Sequence, residues 1–147
     1  MPRRRRSAAP PSPSPPSDGQ VVVVCRGGDC GNRTKHPGFD HLEQLQTIRE
    51  GVRHQGRGRV TVLTSKCLDA CDHSNVIVVA PGPEGRSAGA GPTWIGTTHD
   101  TDTTADIVSW VNAGGPGVAP EPPLVDIRGF RPHRLNRHEL AEETGLS

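Results

Sequence analysis

Short runs of apolar residues along the chain predict four strands. Residues 20–25 contain four consecutive valines, and such an unbroken β-branched run is typical of a central strand that is buried on both faces. Gly27 and Gly28 end this run. Three further apolar runs, at 59–64, 75–80 and 93–97, have the length and composition of shorter strands.

Two segments have the three- and four-residue spacing of a helix with one apolar face. The first follows Phe39 and finishes near Gly51 and Gly56, and the second begins near Thr101 or Asp102, either of which can cap it. Gly114-Gly115-Pro116 ends the second helix. The expected apolar faces are formed by Leu42, Leu45, Ile48 and Val52, and by Ile107, Trp110 and Val111.

The order of these elements is strand, helix, strand, strand, strand, helix. A helical connection between the first two strands predicts that they are parallel neighbours. The short link between the second and third strands is suited to an antiparallel turn. We therefore expect an α/β fold in which a small mixed sheet has helices packed on it.

Proline separates this predicted domain from two tails. Of the 15 prolines in the 147 residues, six lie in the first 16 residues and five lie between Pro116 and Pro132. We expect a compact domain at 20–115 between two disordered tails. The first is an Arg/Pro/Ser-rich tail at 1–19, and the second, at 116–147, is a Pro-rich linker with a short C-terminal helix. Asn136 and Glu139 offer a reciprocal capping pair for a short helix through Leu146.

Charge and hydropathy exclude two classes of partner. The net charge is +1, with +3 in residues 1–19 and −1 in each of the other two segments, so the domain has no basic face for nucleic acid. The arginines at 3–6 are typical of a solvated tail. No apolar run approaches the ~18 residues of a membrane span, and no apolar segment of a signal peptide follows the arginines. We expect a cytoplasmic protein.

The four cysteines provide the candidate chemistry. Cys25 and Cys30 form a C-x4-C pair, Cys67 and Cys71 form a C-x3-C pair, and both pairs follow predicted strands. The carboxyl ends of parallel strands meet at one edge of a sheet, so the pairs can converge. Cytosolic thiols stay reduced, which favours a metal site over disulfides.

The spacing helps to choose between metals. Structural zinc hairpins usually use C-x2-C on both sides, whereas the longer, glycine-bearing loop between Cys25 and Cys30 suits an iron–sulfur cluster. Structural zinc and redox-active thiols remain as alternatives, although the chain has no C-x-x-C dithiol.

Three segments, at 24–30, 65–71 and 75–79, resemble the thioredoxin-like [2Fe–2S] ferredoxin family. The resemblance covers residues from about 20 to 113, with Ser74-Asn75 where family members commonly have Gly-Pro. It implies a thioredoxin-like fold and a one-electron carrier that is often a homodimer. It also implies that Cys25 and Cys30 ligate one iron of a [2Fe–2S] cluster and that Cys67 and Cys71 ligate the other.

The hypothesis is therefore an electron-transfer protein, not an enzyme, that docks with a reductase or acceptor. The alternatives are a zinc-stabilised interaction module and an iron–sulfur sensor or assembly protein. Arg26 and Lys66 adjoin ligands and can screen cluster charge, while nearby carboxylates make the rim acidic and lower the potential. Those carboxylates are Asp29, Asp69 and Asp72, and Trp94 and Trp110 are interpreted as core residues.

Overall fold

The computed structural model describes residues 18–52 and 59–146. Residues 1–17, which include the arginines of the predicted N-terminal tail, lie outside the described residues, as does Gly56. The strands are β1 (Gly19–Cys25), β2 (Arg59–Ser65), β3 (Ile77–Ala80), β4 (Thr93–Ile95) and β5 (Gly129–Phe130). The helices are α1 (His41–Gly51), α2 (Pro83–Ser87), α3 (Thr101–Asn112), α4 (Pro123–Arg128) and α5 (Arg134–Thr144), with a 3-10 turn at Cys71–His73.

The five strands form one mixed sheet in the order β2-β1-β3-β4-β5. Strands β1 and β2 are parallel, which confirms the prediction from the helical crossover. The prediction that a short antiparallel turn joins β2 to β3 as neighbours is wrong. Strand β1 lies between them, and β3 pairs antiparallel with β1. The run of valines in β1 explains this position, since a strand that is apolar on both faces is most stable in the middle of the sheet.

The valines of β1 alternate between two cores. Val22 and Val24 pack with α1 and α3, while Val21 and Val23 pack on the other face with α5 and the cysteine loops. Each of these valines is at most 1% exposed. Trp94 and Trp110 are 3% and 2% exposed, which confirms their interpretation as core residues.

Helix α1 differs from the prediction at one apolar position. Leu45, Ile48 and Val52 are buried as expected, but Leu42 is 62% exposed. Asp40 caps the helix by accepting a hydrogen bond from the Glu43 N–H at 2.9 Å. In the first turn it is His41, not Leu42, that belongs to the buried face.

Helix α3 begins at Thr101, and its cap lies just before the predicted Thr101 or Asp102. The cap is Asp100, whose carboxylate accepts a hydrogen bond from the Thr103 N–H at 3.0 Å. Ile107, which belongs to the expected buried face, is fully buried. The helix ends just before Gly114, as predicted, with Ala113 as its C-terminal cap.

The segment at 116–146 is part of the domain, so the expectation of a disordered C-terminal tail is wrong. Strand β5 pairs with β4 and extends the sheet. Val125, Leu140 and Leu146 are buried. The cap of α5 also differs, since His133 is the capping residue and Asn136, not Glu139, is its reciprocal partner. None of the helices in the described residues has the length and apolar character needed to cross a membrane.

Candidate metal centre

The two cysteine loops lie side by side at one edge of the sheet. Their positions follow from the parallel register of β1 and β2, which places Cys25 opposite Ser65 at the carboxyl ends of both strands. The Arg26 N–H donates to the Ser65 carbonyl at 2.9 Å, so the pairing continues into the loops. The Cys25 sulfur lies 3.5 Å from the carbonyl oxygen of Lys66.

All four predicted cysteines belong to this site, and they differ in exposure. Cys25 and Cys30 are 1% and 5% exposed, whereas Cys67 and Cys71 are half-buried. The Cys67 and Cys71 sulfurs are 3.5 Å apart. Two thiolates on one tetrahedral ion with metal–sulfur bonds of ~2.3 Å are separated by about 3.8 Å, so this pair is close to the spacing that a shared metal requires.

Two glycines allow the first loop to approach the second. A Cβ atom at Gly28 would lie 2.8 Å from the Cys71 sulfur and 3.1 Å from the Cys67 sulfur, and one at Gly27 would lie 2.2 Å from the Cys67 nitrogen. Gly28 also has φ +59°, a conformation that disfavours residues with a Cβ. The close packing of the loops therefore depends on glycine at these positions.

Backbone N–H groups point at the sulfurs of both loops. The Val76 N–H donates to the Cys30 sulfur at 3.3 Å, and the Asp69 N–H donates to the Cys67 sulfur at 3.4 Å. Asp69 has φ +60°, in the left-handed region that residues with a Cβ rarely adopt. Such bonds favour the thiolate form, which is the form that binds metals.

The pKa values of the two buried cysteines are shifted in opposite directions. A hydrogen bond from the Cys30 thiol lowers the pKa of Cys25 to about 6, although burial acts in the opposite direction. The same hydrogen bond, together with burial, raises the pKa of Cys30. Burial is the main cause that raises the pKa of Cys67. These shifts favour a thiolate at Cys25 and thiols at Cys30 and Cys67.

Arg26 is the cation nearest to this buried pair. Its guanidinium donates to the carbonyl oxygens of Cys25 and His41 at 3.0 Å each and to Gln44 Oε1 at 2.8 Å. Burial lowers the pKa of Arg26, while the charges of Cys30 and Cys25 act to raise it. Within the described residues no carboxylate lies within 4.0 Å of Arg26, and the charges that act on its guanidinium are those of the Cys30 and Cys25 side chains. Lys66 is exposed.

A polar cluster that the sequence did not reveal supports the loop of Cys30. Asn75 is fully buried, and its Oδ1 accepts a hydrogen bond from the Gly31 N–H at 2.9 Å. Its amide nitrogen lies 3.0 Å from His41 Nδ1, and His36 Nε2 lies 2.9 Å from the Ser74 hydroxyl. These contacts join residues 34 to 44 positions apart, so no local pattern marks them.

A second unpredicted contact fixes the loop of Cys67. The side-chain amide of Asn136 in α5 donates to the carbonyl oxygens of Leu68 and Asp69 at 3.1 and 2.9 Å, and its own oxygen accepts from the His133 N–H at 2.8 Å. The ring of Phe130 stacks on His73 with centroids 4.0 Å apart. The C-terminal segment therefore packs directly on the loop between Cys67 and His73.

The four cysteines have free thiols, and the described residues contain no group of three or more His, Cys, Asp or Glu side chains in the arrangement that holds a single metal ion. The sulfurs are instead arranged as two pairs on adjoining loops, with half of the donors buried.

Comparison of the chain with protein-family models, curated proteins and solved structures finds no match in any of the three. The structure shows a mixed α/β domain with a five-stranded mixed sheet.

Proposed function

We propose that this protein is a one-electron carrier that binds a [2Fe–2S] cluster through Cys25, Cys30, Cys67 and Cys71. The observation that carries the proposal is the approach of the two cysteine loops, with Gly28 packed against the sulfurs of Cys67 and Cys71. Two cysteine pairs suit a cluster with two irons, since each iron takes two protein thiolates. When bound, such a cluster accepts and releases one electron.

The strand arrangement supports the thioredoxin-like fold that belongs to this proposal. Among the first four strands, β3 alone runs against the others, because it is antiparallel to both β1 and β4 while β1 and β2 are parallel. The helical crossover α1 joins the parallel pair. The proposed location is the cytoplasm, where thiols stay reduced.

The residues around the sulfurs have defined roles in the proposal. The N–H groups of Val76 and Asp69 donate to cysteine sulfurs, and hydrogen bonds of this kind raise the reduction potential of an iron–sulfur centre by offsetting negative charge. Arg26 adds a nearby positive charge that acts in the same direction.

In the proposal, the electron leaves from the side on which the cysteines are exposed. Cys25 and Cys30 are buried under the sheet edge, whereas Cys67 and Cys71 reach the surface together with Asp69 and Asp72, which are exposed. A reductase or acceptor enzyme would therefore approach the second loop. The protein itself transfers charge and catalyses no bond change.

Anaerobic purification followed by analysis of iron, sulfide and zinc tests the proposal. We expect a brown protein with absorbance beyond about 400 nm and with iron and sulfide in equal amounts. A colourless protein that contains stoichiometric zinc would instead support the zinc-stabilised interaction module. If the iron is present but reduction by one electron destroys the centre, the sensor or assembly role is favoured.

A further inference from the structure

The N-terminal turn of α5 carries an exposed basic surface beside the Cys67 loop. We define the arginine surface as Arg131, Arg134 and Arg137, all of which are exposed. No Asp or Glu lies between positions 131 and 138. Within the described residues, none of the three guanidinium groups has an ion pair or a hydrogen bond.

The structure places this surface next to the proposed electron exit. Asn136, which lies between Arg134 and Arg137, donates to the carbonyl oxygens of Leu68 and Asp69 within the cysteine loop. Phe130, immediately before Arg131, stacks on His73. The arginine surface therefore belongs to the segment that packs directly on the loop between Cys67 and His73.

Helix stability does not explain these charges. The first turn of α5 contains no acidic residue and its last turn contains no basic residue, whereas Glu142 and Glu143 lie near its C-terminal end. The helix macrodipole disfavours cations at the N-terminal end and anions at the C-terminal end. The arrangement is therefore unfavourable for the isolated helix, which indicates a role for the arginines outside it.

We infer that the arginine surface is the docking site for an acidic surface of the protein that exchanges electrons with this chain. The inference rests on the proposed function and specifies the chemistry of the partner. Three free guanidinium groups match carboxylates in number and geometry, and Leu135, 51% exposed among them, supplies an apolar contact. Asp69 and Asp72 repel the acidic patch itself, so the patch seats on α5 while the rest of the partner faces the adjoining cysteine loop.

Duplex DNA is a poorer match for the same surface. Proteins that bind DNA through its backbone typically neutralise about six to ten phosphates, and the arginine surface supplies three cations. A protein with a local acidic patch needs only a few charge pairs, because electrostatic complementarity serves mainly to accelerate and orient a transient encounter.

Binding of a fluorescein-labelled poly-L-glutamate peptide to the full-length chain, followed by fluorescence anisotropy, tests the inference. Arg3 to Arg6 are replaced by Gln in every sample, so that only charges of the folded domain are compared. The test variant is R134Q/R137Q, and the matched control is R49Q/R59Q. Arg49 and Arg59 are also exposed but lie toward the opposite ends of α1 and β2 from the cysteine loops.

We expect R134Q/R137Q to weaken binding by about three- to ten-fold at low salt, as is typical for the loss of two screened ion pairs, and R49Q/R59Q to change it little. Added salt should weaken binding to the parent chain. Circular dichroism checks that both double variants fold. Equal losses in the two double variants, no binding of poly-L-glutamate, or tighter binding of duplex DNA that R134Q/R137Q weakens would overturn the inference.

The outcomes separate this inference from the proposed function. If the purified chain contains no iron but only R134Q/R137Q loses binding, the docking surface stands and the carrier proposal fails. If the iron centre is present but both double variants bind alike, the carrier proposal stands and the docking surface fails. In the first case the surface binds an acidic protein for another purpose.

Discussion

Gly28→Ala is the substitution that most sharply separates a site built for a metal group from an ordinary turn. The added Cβ would lie 2.8 Å from the Cys71 sulfur and 3.1 Å from the Cys67 sulfur, whereas nonbonded heavy atoms are in contact at about 3.5–4.0 Å. Either the loop moves away or the two sulfurs do. In both cases the first loop no longer packs against the Cys67 and Cys71 sulfurs as it does in the native chain.

The positive φ of Gly28 adds a second cost in unfolding free energy, and a control variant can carry a cost of similar size. Alanine at φ +59° costs about 1–2 kcal/mol, which changes the ratio of folded to unfolded protein by a factor of about 5–30. Gly89 has φ +87°, and a Cβ atom added there would have no heavy atom within 4 Å. Gly89→Ala therefore carries a similar backbone cost without touching the sulfurs.

The assay compares two properties of the native protein and both variants. Urea unfolding of chelator-treated protein should show that Gly89→Ala has lost about 1–2 kcal/mol of unfolding free energy and that Gly28→Ala has lost at least as much. Iron and sulfide analysis should show native content in Gly89→Ala and a large loss in Gly28→Ala. Native iron content and a native visible spectrum in Gly28→Ala would refute the reasoning, because the first loop would then not contact the metal group through this position.

Three further substitutions test single residues of the site. Cys67→Ala should abolish the visible absorbance, and a normal spectrum in this variant would show that the ligand assignment is wrong. Asn136→Asp removes the donors to the carbonyl oxygens of the Cys67 loop at a cost of about 1–3 kcal/mol, so the variant should lose iron to a chelator faster than the native protein does. The control is Asn112→Asp, because the amide of Asn112 donates to the Gly51 carbonyl oxygen away from the site. Equal rates of iron loss from the two variants would contradict this. Arg26→Gln should lower the reduction potential by about 90 mV, because a unit charge at ~8 Å in a medium of effective dielectric constant ~20 contributes ~2 kcal/mol. Arg26→Lys should retain most of the native potential, and an unchanged potential in Arg26→Gln would exclude this role.

The centre of the fold is readable from the sequence because its signals are local. Four consecutive valines predict a doubly buried strand, and β1 is central with both faces covered. Gly114 follows an apolar helical face and ends α3. The closeness of the two cysteine loops follows from the same pattern, since parallel β1 and β2 end at one edge of the sheet.

The C-terminal segment could not be predicted because its prolines have two structural meanings. Proline is typical of disordered tails, but it is also favoured in the first turn of a helix, where its missing N–H is not needed. Pro123 occupies such a position in α4. The contacts that order this segment are distant in sequence, as the pairing of Trp94 with Phe130 shows.

The supports of the cysteine loops were missed for a related reason. Asn75 and Asn136 are ordinary turn or capping residues when considered within their own segments. Their amides contact Gly31 and the carbonyl oxygens of Leu68 and Asp69, which are 44 to 68 positions away. Only the folded chain brings these groups together.

A redox titration followed by electron paramagnetic resonance tests the central claim most directly. The full-length protein, purified without oxygen, is reduced stepwise and then reoxidised. The account predicts a reversible one-electron step that yields one unpaired electron per two irons, a signal that is absent from Cys67→Ala. A protein that contains zinc and no iron, or that gives no reversible signal while all four cysteines are intact, would contradict it.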